Sequence, residues 1–122
     1  MWPIHYRTFV ERHTLAGVEV EVPEDHDLSG MGASIGLYDE AKARDEAERF
    51  YPGLVVRHDG FVPIGEDLGG SGDPYFINIH DEPPGPVYRI YHESVPDRSY
   101  DREEAIERVL ASYAELLGTA NP

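Results

Sequence analysis

Cysteine is absent from this 122-residue chain. That excludes disulfides, thiolate metal ligands and a thiol nucleophile, and nothing asks for an oxidising compartment. Long apolar runs are missing as well, since no stretch approaches the ~18 residues of a membrane-spanning helix. The opening MWPIHYRTFVERH has neither the apolar core nor the small-residue cleavage site of a secretory leader. A soluble, cytoplasmic protein is expected. Basic residues are scarce too: 10 Lys and Arg stand against 24 Asp and Glu, a formal charge of -14. The imbalance is local. Segment 19–30 holds Glu19, Glu21, Glu24, Asp25 and Asp27, and segment 61–86 holds Glu66, Asp67, Asp73, Asp81 and Glu82, with no Lys or Arg in either. A field of that sign repels nucleic-acid phosphates and anionic lipid, and it draws in a basic protein. Direct nucleic-acid binding and membrane binding are therefore not expected, whereas a basic protein partner is.

What is present reads as one domain over residues 1–122, long enough to bury a core without staples. Ile4, Tyr6, Phe9 and Val10 form an apolar stripe after Pro3, which predicts a helix over 3–13. Val18, Val20 and Val22 alternate with Glu19 and Glu21, the period of a strand with one wet face. Residues 24–36, acidic and then glycine-rich, read as a loop. Leu37, Tyr38, Ala41, Ala47, Phe50 and Tyr51 recur at helical spacing up to Pro52-Gly53. Residues 54–57 and 61–64 read as short strands joined by an Asp59-Gly60 hairpin turn. The glycine-rich turn 65–73, with Gly65, Gly69, Gly70 and Gly72, suits positive φ. Segments 75–80 and 87–92 predict an antiparallel hairpin around 81–86. Finally, Ala105, Ile106, Val109, Leu110, Tyr113, Leu116 and Leu117 fall on one helical face over 101–117, opened by Asp101 and Glu104 and closed by Gly118. The expected fold is α+β: a central, mainly antiparallel sheet of four to six strands, three or more helices packed on one face, and a long C-terminal helix.

Catalytic patterns are poorly supported. His5, His13, His26, His58, His80 and His92 form no H-x-x-x-H or H-E-x-x-H. If 75–80 and 87–92 pair around residues 83–84, His80 lies opposite 87 or 88 and His92 is roughly 13–17 Å further along. The turn 65–73 has no EF-hand register, because Leu68 and Gly69 fall where oxygen ligands belong, and it has no Gly-Lys-Ser/Thr ending. No serine sits in G-x-S-x-G. Tyr6 and Phe9, and Tyr38, Phe50 and Tyr51, lie at helical spacing that suits core packing. No catalytic residue, metal or cofactor is expected.

The block FVPIGEDLGGSGDPYFINIHDEPPGPVYRIYH, residues 61–92, resembles the SUKH superfamily, the Smi/Knr type of domain. Its members typically show an "(F/I)-x-P-(I/F)-G" strand, a Gly-Asp turn, an alternating strand, a "G-x-V-(Y/F)" strand and a closing helix. Pro3, Tyr6 and Phe9 are similar to the family's "LP-x-x-Y-x-x-F" helix start, PVYRIYHE to its "G-x-V-Y-x-(W/Y)-x-H" strand, and Ser112, Tyr113 and Leu117 to a pattern in its closing helix. Two departures stand out. The helix that many members carry before the "LP" segment is expected to be missing, since the sequence starts at Trp2-Pro3, and His13-Thr14-Leu15-Ala16-Gly17 replaces the family's Asn-Gly-Gly.

The resemblance implies a small α+β domain without catalytic residues, commonly a bacterial immunity protein that binds and neutralises a toxin, often a nuclease. The acidic residues Glu66, Asp67, Asp73, Asp81 and Glu82 are then the expected toxin-facing patch, with Tyr75 or Tyr88 as aromatic anchors where exposed. Two other function classes stay open: a regulatory or scaffold module, and a small hydrolase built on an acid–histidine pair in a deep pocket.

Overall fold

Pro3 is extended, and its carbonyl accepts from the Tyr6 and Arg7 N–H groups, which starts α1 (Ile4–His13) in the computed structural model, describing residues 1–119. Thr14, at φ 53, turns the chain out of the helix. β1 (Glu19–Val22) buries Val20 and Val22 and leaves Glu19 and Glu21 in water, as its alternation dictates. The helix over 3–13 and the strand over 18–22 thus form where expected.

The next element is a correction. Residues 24–36 are not all loop, because β2 (Ala33–Leu37) pairs with β1 from Glu19↔Gly36 to Val22↔Ala33. Ala33, Ile35 and Leu37 are buried between Ser34 and Gly36, a period of two that the surrounding glycines obscured. Leu37 therefore closes a strand rather than opening a helix. α2 (Glu40–Arg49) begins only at Asp39, whose carboxylate accepts from the Lys42 N–H at 2.8 Å. Its buried side is Ala43 and Ala47, while Phe50 and Tyr51 are exposed and lie beyond its end.

Residues 54–57 do not form a strand. They coil into α3 (Gly53–Val56) and a 3-10 turn, Arg57–Asp59, that Gly60 stops at φ 92. Val55 and Val56 favour strands intrinsically, but seating both against the sheet decides the matter. Asp59-Gly60 accordingly ends a helical turn and is not a hairpin. β3 (Phe61–Asp67) runs further than the expected 61–64 and takes in Gly65 and Glu66. β4 (Tyr75–Asn78) and β5 (Val87–Ile90) make the expected hairpin, pairing Tyr75 with Arg89 and Phe76 with Tyr88, so His80 lies beyond the ladder.

The largest departure is at the C-terminal end. The helix expected over 101–117 is only one turn, α4 (Arg102–Ala105), capped by Asp101 as read from the sequence. β6 (Ile106–Leu110) follows and pairs with β5. The register slips between Val87↔Leu110 and Tyr88↔Arg108, leaving Val109 as an extra residue. Such a bulge breaks the period of two. Val109 and Leu110 are both buried as a result, and the spacing from Ile106 imitates a helix. A 3-10 turn with a Ser112/Glu115 capping box leads into the short α5 (Leu116–Thr119).

Among the described residues six strands form one antiparallel sheet, in the order β1-β2-β3-β4-β5-β6. The sheet curls. Val20 and Val22 of the first strand and Val109 and Leu110 of the last share one core with α1, Tyr113 and Leu116. The opposite face is covered as well: Phe61, Phe76 and Ile90 pack there with Val55, Val56, Val95 and Ala105. Helical segments on both faces replace the single covered face that was expected, because odd and even positions of β3 to β5 are both apolar.

Candidate functional site: an acidic groove over a buried arginine

β1, β2, β3 and β4 contain no Lys or Arg, and neither do the two segments 13–41 and 58–88 that carry them. Cross-strand pairing then collects their acids. Glu19 and Glu66 flank Gly36 on either side of β2, and Glu21 lies across from Ser34, whose hydroxyl donates to it at 2.5 Å. Burial holds the Glu46 carboxyl above the usual range, with Lys42 opposing the rise and Asp45 and Glu66 adding to it.

Where β1, β2, the turn after β3, the start of β4 and the end of β5 meet lies a groove of about 430 Å³. Glu21, Glu24 and Asp67 rim it, Met31 and Tyr91 supply apolar wall, and Tyr75, Arg89 and the Asp73 carboxylate, itself buried rather than presented on the surface as expected, lie deeper. Arg89 is 4% exposed. An arginine here must be paired to be tolerated. Its guanidinium donates to Ser29 Oγ at 2.9 Å and to the Gly32 carbonyl at 2.9 Å, and lies 3.5 Å from Asp27 Oδ2. Asp27, also buried, accepts from the Ser29 N–H and hydroxyl through its other oxygen. The arginine thus ties the acidic segment between β1 and β2 down onto β5.

The turn after β3 is shaped by its carboxylates. Asp67 accepts from the Gly69 N–H at 3.0 Å and the Ser71 N–H at 2.9 Å. Burial pushes its carboxyl up, but the Ser71 and Gly69 bonds outweigh that and leave it below the ordinary value. Gly70 and Gly72 take the positive φ expected of them, at 89 and 79, whereas Gly69 does not and Gly65 lies outside the turn, within β3. Asp73 Oδ1 accepts from the His92 N–H at 2.9 Å and meets His92 Nδ1 at 2.6 Å. This carboxylate–imidazole couple borders a shallow recess of about 250 Å³ with Ser71, Tyr91, Glu93 and Ser94. Among the described residues no hydroxyl bonds the remaining ring nitrogen, and no three His, Asp or Glu side chains converge as a metal site would require.

No family model, curated protein or solved structure matches this chain. Its geometry alone therefore sorts the expected patch. Asp67, Asp73 and Tyr75 come together at the groove, with Glu66 exposed on the adjoining strand. Tyr75, however, is 1% exposed and its hydroxyl faces Arg89, so it is no surface anchor. Asp81 and Tyr88 lie elsewhere, bonded to each other at 2.8 Å in a second groove with Phe61, Ile106, Arg102 and Arg108. Burial and the Asp81 bond push the Tyr88 hydroxyl up to about 12. Glu82 is exposed in the β4–β5 connection. One patch has become two regions. Sequence reasoning missed Arg89, Asp27, Glu21, Glu24 and Met31. Only Arg89 carried a signal: it shares the inward parity of Val87 within VYRIY, and an inward arginine demands a buried acceptor. No helix among the described residues is long and apolar enough to cross a membrane.

Proposed function

We propose that this chain is a non-enzymatic protein-binding module of the SUKH type, an immunity protein that neutralises a basic toxin by covering it. The observation that carries the reading is the run of four adjacent strands, β1 to β4, without a single Lys or Arg. Nuclease surfaces hold phosphates and are basic for that reason. An acidic partner competes for the same surface and is steered to it at long range. The six-stranded α+β architecture agrees with the kind of domain the resemblance implies.

A hydrolytic reading rests on Asp73 and His92. It is the weaker one, because Asp73 Oδ1 is shared with the His92 main chain, as in a tie between a turn and a strand end. A base also needs a nucleophile within reach, and among the described residues none is bonded to the imidazole. A scaffold role predicts binding to a partner that is not toxic.

Co-expression with the variable C-terminal domain of a large secreted protein encoded beside this chain's gene tests the proposal. Restored growth together with co-purification is the expected result. Co-purification with a harmless partner favours the scaffold role, and neither rescue nor a complex contradicts protein binding by this chain.

A further inference from the structure

The connection between β1 and β2, residues 23–32, combines two properties that rarely coincide. It is fixed along most of its length. The His26 and Asp27 N–H groups donate to the Pro23 carbonyl, Leu28 N–H donates to the Val109 carbonyl of β6 at 2.9 Å, and Arg89 grips Ser29 and Gly32 from beneath. Met31 Sδ lies 3.6 Å from the same guanidinium and 3.4 Å from the Tyr91 hydroxyl. Yet the segment holds two large apolar side chains out in water: Leu28 is 58% exposed and Met31 is 56% exposed.

A buried ion pair adds little net stability over an apolar replacement, so what Arg89 and Asp27 supply is shape. They fix a loop that would otherwise sample many conformations, and ordering in advance removes a cost that binding would otherwise carry. Glu21 and Glu24 line the groove together with Met31, and they and Asp25 are all exposed, with no lysine or arginine within the loop. Apolar centre and charged rim is the layout of a protein interface.

We infer that residues 23–32 are the docking epitope for a basic protein surface that carries an apolar recess. Leu28 and Met31 enter the recess, and Glu21, Glu24 and Asp25 face the lysines and arginines around it. This rests on the protein-binding reading above and places the contact on the β1–β2 connection rather than on Asp81 and Glu82.

The probe is the C-terminal domain paired with this chain by co-expression, titrated onto immobilised wild type and variants. Leu28→Ser is expected to speed dissociation ~10-fold or more with association little changed. Glu24→Lys with Asp25→Lys is expected to slow association ~10-fold at low salt, the effect shrinking as salt is added. Glu103→Lys with Glu104→Lys, on α4 against the opposite face, is expected to leave both rates near wild type. All three sets alter exposed side chains, and unchanged circular dichroism and melting temperature verify the fold. Wild-type rates in both loop variants while the wild type binds would overturn the epitope and leave the protein-binding reading standing. A wild type that binds no such domain removes both.

Discussion

Arg89 shows how one residue sets the geometry of a surface it hardly touches. Its charge is out of water, and the buried Asp27 carboxylate is its counter-ion at 3.5 Å. Arg89→Met strands that carboxylate, and the expected loss is about 3–5 kcal/mol, measured by chemical denaturation. Replacing Asp27 as well, by Leu, should recover part of the loss, because no buried charge is then left alone. Glu40 is a second such residue. It accepts from Arg7 Nε at 2.7 Å, from Arg7 Nη2 at 3.0 Å and from the Trp2 N–H at 3.1 Å, joining α1 to α2. Chiefly through the Arg7 bonds, its carboxyl is lowered to about 2. The folded value lies below the unfolded one, so the contribution to stability is complete above the ordinary carboxylate range and fades as pH falls towards about 2. Glu40→Gln should therefore unfold more readily than wild type at pH 7, by about 1 kcal/mol, and the two should converge as pH approaches 2 in urea titrations. The parity of Arg89 asked for a buried acceptor, but the acceptor was not legible, since Asp27 stands among four other acids in 19–30, and Glu40 resembles any helix-start glutamate.

Elements were legible where one local rule acted alone. α1 and β1 follow from an apolar stripe and a strict alternation, and the β4–β5 hairpin from two apolar runs around Pro83-Pro84-Gly85. They were misread where two rules competed. In β6 the bulge at Val109 replaces a period of two with spacings that a helix also satisfies, so the sequence supports both and pairing with β5 decides. Cross-strand nuclear Overhauser effects between Arg89 and Glu107 and between Ile90 and Ile106 are expected; helical contacts between residues four apart over 106–110 would refute the strand. Gly65 was misjudged in the same way, as a turn glycine. It lies within β3, and a Cβ there would stand 2.6 Å from Ile35 Cγ2 and 3.0 Å from the Gly36 carbonyl oxygen. Its missing side chain lets β2 and β3 approach at Leu37↔Gly65. Gly65→Ala should cost about 1–3 kcal/mol and lower the melting temperature, with no help from φ preferences.

At the scale of the whole molecule, charge is the property that the sequence announced most clearly and that folding organised. The strand order places the segments without Lys and Arg side by side, so the acids of β1 and β3, on either side of the uncharged β2, reinforce one another instead of being interleaved with Arg102 and Arg108. Folding also divided the expected patch, sending Asp67 and Asp73 to one groove and Asp81 to another, because a strand sequence does not tell which ends of a curled sheet come together. On the proposed function, this acidic half is the means by which a basic protein is found and held. The most direct test is the association rate with the co-expressed C-terminal domain, the proposed partner, as a function of ionic strength, for wild type and for a Glu21→Lys, Glu24→Lys, Glu66→Lys variant. The wild-type rate should fall at least ~10-fold between low and high salt, and the variant should start slower with a flatter or inverted dependence. Equal rates for the two proteins, unmoved by salt, would contradict it.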